Sequence, residues 1–320
     1  MEKLRYRNWL FFEFEFWIRL IWYYIKNRRL DDKKYISQIF VKAHGYQMDF
    51  ENPKSLNQKL QWIKLNDKRE LFVQHADKIE VRGFIREHFG DEYVIPLYGV
   101  YTDFSEIPLK ELPLPFIMKT NHDSGNYIIV RDLEEVNWKK VKFDFVRALR
   151  IDYYWFQREW QYQKIHRRIL VEQLLSDETG RIPDDFKFNC FNGKVEFIYV
   201  ANDREGENRR FIFNKEWELL PFSWGSKWKK KSNMVSIPSI PQNLDQMIAI
   251  AEKIAQYYLY VRVDLYSLNN RIYVGEITHT HGGGFDRIYP REWDFKLGEK
   301  LKISKELIEQ LPRITNSVNN

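Results

Sequence analysis

Cysteine is nearly absent from this chain: Cys190 is the only one in 320 residues. An intrachain disulfide framework is therefore excluded, and a reducing compartment suits the composition. Cys190 lies in an apolar strand pattern at 186–191 and reads as core, not as a nucleophile. Long apolar runs are also missing, since no uninterrupted stretch reaches the roughly 20 residues of a membrane-spanning helix. There is no internal repeat, and no Walker-type loop with Gly-Lys-Ser/Thr opening a helix. Charge is only mildly unbalanced, with 51 basic against 45 acidic side chains. That excess fits anionic substrates or an anionic membrane surface as readily as nucleic acid. What the chain does have is aromatic side chains, 17% of its residues. Its length suffices for a sizeable core, in one large domain or two or three small ones.

Residues 1–30 concentrate those aromatics. From Trp9 to Ile25 the chain is apolar and aromatic, interrupted by Glu13, Glu15 and Arg19. Arg5 and Arg7 precede it; Lys26, Arg28 and Arg29 follow. Charges in the apolar core and the lack of a small-residue cleavage site speak against a cleavable signal. Three charges also make a spanning helix costly. The pattern predicts an interfacial helix with aromatic belts and basic flanks; a helix packed on the body of the protein is the alternative.

Further on, Ser55 with Gln58 forms a capping box ahead of the stripe Leu56, Leu60 and Ile63. A second helix is predicted from Asp77 to Gly90, with Lys78 in its first turn, where the dipole disfavours a cation unless an anion is near. Strands are expected at 93–100, 116–121 and 127–130. Lys119 interrupts the second of these, and the polar turn 122–126, with Ser124 and Gly125, follows. A lysine beside exposed backbone amides is what a phosphate clamp needs; an ordinary hairpin with an outward lysine is the alternative. Residues 138–168 read as helical, their aromatics packing onto the domain rather than stacking on nucleic acid. The buried-type strand 168–175 carries Glu172. Strands 186–191 and 195–200 flank a hairpin turn at Asn192-Gly193; Lys187 lies on the first, and Asp203-Arg204 follows the second. The basic run 227–231 reads as a solvated or membrane-facing patch. Residues 244–258 carry a clean helical stripe, and a last helix is expected near 304–311.

The stretch 260–285 organises the rest. Two alternating runs, 260–266 and 271–278, form a hairpin. A three-residue loop 269–271 with Asn270 left-handed would set Asp264 opposite Glu276 and Arg262 opposite Thr278. Like charges directly opposite are destabilising, and a bridging divalent cation, magnesium for hard oxygen ligands, relieves them. A solvated hairpin edge with incidental acids is the alternative. The run Gly282–Gly284 would let backbone approach a ligand closely.

Together the segments NPKSLNQKLQWIKL (52–65), ADKIEVR (76–82), PFIMKTNHDSGN (115–126), ILVEQLL (169–175), DFKFNCFNG (185–193), VRVDLY (261–266) and GEITHTHGGGF (275–285) resemble the ATP-grasp superfamily. Within it they resemble the TupA-like branch of teichuronopeptide and other surface-polysaccharide synthesis. The resemblance covers about residues 50 to 300, its strength lying in order and spacing, and extends more distantly to D-alanine–D-alanine ligase. It implies an α+β ATP-grasp fold, two α+β subdomains clasping ATP; the N-terminal helical arm near a membrane is expected from residues 1–30 themselves. The implied segments are an arm (1–45), an N-terminal region (46–110), a lid (111–175) and a C-terminal subdomain with the metal site (176–320).

The resemblance also implies roles. Lys78 and Lys119 would hold ATP phosphates beside Ser124 and Gly125; Glu172, Gln173 and Leu174 would form the adenine hinge; Asp185 would be at or near the ribose. Asp264, Glu276 and Thr278 would bind Mg2+, and Arg262 with Lys187 would act on the transferred phosphoryl group. The chain departs from the wider pattern at Thr278, where Asn is usual, and at His279 and His281, which with Arg204 are candidate substrate contacts. The implied activity is a carboxylate–amine ligase using ATP and Mg2+, cytoplasmic and peripheral at the inner membrane face, acting on a sugar, uronic-acid or amino-acid substrate that a lipid could carry. A sugar kinase of the same fold and a nucleotide-sugar glycosyltransferase are the alternatives, and no nucleic-acid partner is expected.

Overall fold

The computed structural model describes residues 9–225 and 237–313, so the basic run at 227–231 lies outside the described residues. The architecture is α+β. Five helices come first: α1 (Trp9–Arg28), α2 (Asp32–His44), α3 (Leu56–Asn66), α4 (Leu71–Ala76) and α5 (Val81–Phe89). Ser55 caps α3 in the anticipated box with Gln58. Strands β1 (Leu97–Tyr101), β2 (Phe116–Thr120), β3 (Tyr127–Val130) and β4 (Ile169–Gln173) form an antiparallel sheet in the order β1-β4-β2-β3. Two-residue alternation gives it two faces. Phe116, Met118, Val130, Ile169 and Val171 bury against Val141 and Phe145 of α6 (Trp138–Arg150). The other face presents Ile117, Lys119, Ile129 and Glu172 to a cleft.

Across the cleft, β5 (Asp185–Phe191), β6 (Lys194–Asn202), β7 (Arg209–Phe213), β9 (Tyr260–Leu268) and β10 (Arg271–Thr278) form a second sheet, ordered β10-β9-β5-β6-β7. The short β8 (Ser223–Trp224) pairs with β11 (Ile288–Tyr289) beside it. One face of this sheet, with Phe186, Phe188, Val200, Val263 and Leu265, buries with Met247, Ala251 and Ile254 of the helix Leu244–Ala255. The opposite face carries the charges.

Several expectations need correction. The segment 138–168 is broken: α6 ends at Arg150, a one-turn helix spans Tyr154–Gln157 (α7), and a 3-10 turn covers Trp160–Lys164, with Arg158 left-handed between them at φ 57°. The helix predicted from Asp77 begins at Val81, so Lys78 lies in the turn before it, its N–H donating to Asn121 O at 3.3 Å. Its position is set by that turn and not by a helix dipole. The strand predicted at 93–100 starts only at Leu97, because Pro96 has no N–H for the ladder. β1 pairs with β4, so the anticipated boundary at 110/111 cuts through the small sheet, which runs from β1 to β4.

Candidate active site

The hairpin β9–β10 shows how local sequence aims the charges. Its turn has two residues, not three: Asn269 and Asn270 are both left-handed (φ 49° and 60°), and Leu268 pairs with Arg271. That register alone would offset the two acids. A bulge between Val274 and Glu276 shifts it by one residue, so Asp264 does face Glu276 and Arg262 faces Thr278. Gly275 makes the bulge possible, since a Cβ there would run into the Tyr266 ring. The anticipated pairing is correct, but by compensation.

A cleft of about 370 Å3 lies between the two sheets. Of the sixteen candidate residues, twelve line it: Lys78, Lys119, Ser124, Gly125, Glu172, Gln173, Leu174, Asp185, Lys187, Arg204, Asp264 and Glu276. On the small-sheet side Lys119 and Arg82 clasp Glu172, Nζ to Oε2 at 2.5 Å and Nη1 to Oε1 at 2.8 Å. Lys78 Nζ donates to Asp123 O and sits 3.9 Å from Glu276. Leu174 N–H is taken by Pro115 O at 3.3 Å and Gln173 N–H by Pro96 O at 2.9 Å, so neither amide is open to a ligand in this conformation. Apolar walls come from Ile95, Ile117, Ile129, Leu175 and Pro183. Alternation on β2 and β3 carries the signal for Ile117 and Ile129; the others sit in loops or at a strand end, where periodicity gives none.

The floor is a chain of ion pairs. Lys187 Nζ bridges Asp185 Oδ2 and Asp264 Oδ2, each at 2.6 Å. Arg262 grips Asp264 with Nε to Oδ1 at 2.6 Å and Nη2 to Oδ2 at 2.8 Å, and reaches within 3.7 Å of Glu276. Burial alone would push the Asp264 carboxyl up, but the Arg262 and Lys187 charges outweigh it and hold it below the usual carboxylate range. Arg204 lies 3.7 Å from Asp185 and 3.4 Å from the Tyr266 hydroxyl. Arg262 lines no part of the cleft surface; it stands behind Asp264.

Four candidates lie off the cleft surface, Arg262 and three more. Thr278 Oγ1 is buried without a hydrogen-bond partner. His279 is stacked on Phe72 and tilted against Tyr258 in the core, so contact with a substrate is excluded for it in this conformation. His281 is also buried, stacked on Trp224, with Nδ1 3.0 Å from Arg262 Nη1 and Nε2 3.5 Å from Asp286. Burial first, then the Arg262 charge, drives its pKa far down, leaving a neutral ring whose Nδ1 accepts from Arg262. The glycine run answers to protein, not ligand. Gln61 Nε2 donates to the carbonyls of Gly283 and Gly284 at 2.9 Å, Lys64 Nζ to Gly283 O at 2.6 Å. A Cβ on Gly283 would strike Gln157, and one on Gly284 would strike Gln61.

Among the described residues no cluster of three or more His, Cys, Asp or Glu could hold a metal ion. Asp264, Glu276 and the partnerless Thr278 hydroxyl nonetheless suit magnesium, which takes one or two carboxylates and fills its octahedron with water and phosphate oxygen. Two antiparallel sheets backed by helices and closing on a cleft, with Lys119 on one wall and the paired acids Asp264 and Glu276 on the other, make the arrangement of an ATP-grasp protein. The chain belongs to the TupA-like ATP-grasp family, whose model matches residues 58–302. No curated protein matches. Among solved structures the chain is similar to D-alanine–D-alanine ligase from Helicobacter pylori (14% identity, 82% of this chain, 70% of that one, TM-score 0.42). It is also similar to the Bacillus anthracis D-alanine–D-alanine ligase complexed with ATP (15%, 65% and 55%, 0.37) and to L-amino acid ligase from Bacillus licheniformis (11%, 71% and 49%, 0.40). The chain thus spans about half of the latter two.

Proposed function

We propose that this protein is an ATP- and magnesium-dependent ligase that activates a carboxylate as an acyl phosphate and joins it to an amine. The reaction would release ADP and phosphate and serve cell-surface polysaccharide synthesis, with a uronic acid or an amino acid on either side of the new amide. The observation carrying this reading is the convergence of twelve separately placed candidates on one cleft. In it, Lys78 and Lys119 hold phosphate from two sides, and Ser124 and Gly125 offer backbone. Glu172, Gln173 and Leu174 bound the base, which requires the last two to release their carbonyl partners or to contact adenine through other atoms. Asp185 lies on the floor beside Lys187, and its ribose role needs the sugar to reach that far. Asp264, Glu276 and Thr278 hold magnesium, which when bound neutralises phosphate oxygens. Lys187 and Arg262 spread charge on the transferred phosphoryl group, with His281 fixing Arg262, and Arg204 is the remaining contact for an anionic substrate. The site of action in this reading is the cytoplasm, at the inner face of the cell membrane, and an acceptor carried on a lipid is compatible with it.

The test is ADP release with Mg2+, ATP and panels of uronic and amino acids, using carboxylate labelled with heavy oxygen. A ligase carries label into the released phosphate; label confined to the substrate with a phosphorylated hydroxyl identifies a kinase. Binding of a nucleotide-sugar in place of ATP would identify a glycosyltransferase.

A further inference from the structure

Helix α1 carries apolar side chains on its outer side as well as on the side packed against the body. Its inner face is fixed to the body: Leu20 and Asn27 are buried, Tyr23 OH meets Tyr35 OH at 2.6 Å and donates to Trp155 O at 2.9 Å, and Asn27 O accepts from Arg158 Nη2 at 2.7 Å. Arg147 lies over the Phe16 ring. The outer face carries Phe14, Ile18, Ile21, Trp22 and Ile25, exposed at 65, 39, 52, 68 and 48%. At 100° per residue these five fall within an arc of about 100°. Exposed Arg29 falls within that arc and exposed Arg28 about 20° outside it, both at the C-terminal end of the helix, and the only acids of the helix, Glu13 and Glu15, lie toward its N-terminal end.

We propose that this outer face docks on an anionic lipid surface. This rests on the membrane setting of the preceding reading but not on its chemistry. Two observations favour lipid over a second copy of the chain. The five side chains offer roughly 500 Å2, short of the roughly 800 Å2 per partner of a stable protein interface. The stripe and its arginines have the composition of an interfacial helix, apolar side chains entering the acyl boundary while basic side chains meet headgroup phosphates. No described helix is long and apolar enough to cross a membrane, so contact on this face would be peripheral.

The inner contacts also fix how the body sits. The docking segment 152–159 is the one whose Gln157 carbonyl accepts from Lys64 Nζ at 2.8 Å and whose Glu159 carboxylate accepts from Thr280. A bilayer on α1 is therefore held at a fixed side of the molecule, bonded through that segment to the loop following β10.

The full chain is tested by flotation with vesicles of phosphatidylglycerol and phosphatidylcholine, and of phosphatidylcholine alone. Binding to the anionic vesicles is expected to fall at least tenfold in Trp22→Ser/Ile25→Ser and in a second variant, Phe14→Ser/Ile18→Ser. It should fall several-fold in Arg28→Gln/Arg29→Gln, at high salt, and on neutral vesicles. The proposal is overturned by an unmodified chain that does not float, by both apolar variants floating unchanged, or by a dimer in sedimentation velocity that Trp22→Ser dissolves. ATP–Mg2+ binding, measured calorimetrically without vesicles, reports on the cleft separately: intact nucleotide binding without flotation sinks the membrane face alone, and flotation without nucleotide binding sinks the ligase reading alone.

Discussion

The two walls of the cleft solve opposite problems. The small-sheet wall is mostly apolar, Ile117 and Ile129 with one ionic knot in which Lys119 and Arg82 share Glu172. The large-sheet floor is a continuous chain of charges, from Asp185 through Lys187 and Asp264 to Arg262, with Glu276 at its end. A planar base suits the first and a polyphosphate with its cation suits the second. The difference teaches where each wall is vulnerable. Removing one member of a buried ion pair strands the other, which costs more than the pair itself contributes.

The largest effect is expected at the floor. Asp264→Asn leaves Arg262 and Lys187 short of their shared anion. ATP-dependent turnover should fall at least about a hundredfold, and chemical denaturation should show a loss of about 3 kcal/mol. An Asp264→Asn protein with full activity would sink the metal assignment. On the wall, Glu172→Gln strands Arg82, which is itself buried, so a loss of about 2 kcal/mol is expected. Its nucleotide affinity should weaken about tenfold while magnesium dependence stays unchanged, which separates the two walls by calorimetry.

Acid distinguishes the walls by their histidines. Burial holds His75 down at about 3 and His122 at about 4, and drives His279 and His281 well below 6.5. All are neutral when folded and titrate near 6.5 when unfolded. Below pH 6.5 the unfolded chain therefore binds more protons, and stability present above that pH is lost as pH falls. At pH 5 His75 and His122 should each cost about 2 kcal/mol, and His279 and His281 act in the same direction. Three of the four lie under or beside the floor, and only His122, bonded to Ala148 O at 3.2 Å, lies behind the wall. Hydrogen exchange at pH 5 should loosen β9 and β10 before β2 and β4; the reverse order would break the comparison.

Smaller effects test how the floor is aimed. Gly275→Ala presses a methyl into the Tyr266 ring and should cost about 1–2 kcal/mol, read as a fall in melting temperature with weaker Mg2+–ATP binding. His281→Phe keeps a ring to stack on Trp224 but removes the acceptor for Arg262. Turnover should drop several-fold with nucleotide affinity unchanged; an unchanged turnover would show that Asp264 alone fixes the arginine.

Local patterns were legible where two-residue alternation or a cap decides the outcome. Ser55 with Gln58, the Asn192-Gly193 hairpin, and the strands carrying Lys119, Glu172 and Lys187 all read directly. Segments whose limits depend on distant partners did not. The break after Arg150 and the left-handed Arg158 follow from packing against α1 and α2, where Arg158 lies over the Tyr35 ring. His279 and His281 look alike in sequence, two residues apart, and differ only in their neighbours, Phe72 for one and Arg262 for the other.

By itself, then, the sequence determined the strands, their faces and the order of the charged residues along them, because side-chain alternation and turn chemistry act over a few residues. Tertiary structure decided which charges meet. Arg82 reaches Glu172 across 90 residues and Lys187 reaches Asp264 across 77. Lys187 meets Asp264 because β5 and β9 pair within the large sheet, and Arg82 meets Glu172 because α5 reaches across to β4; burial, by removing water, strengthens both pairs.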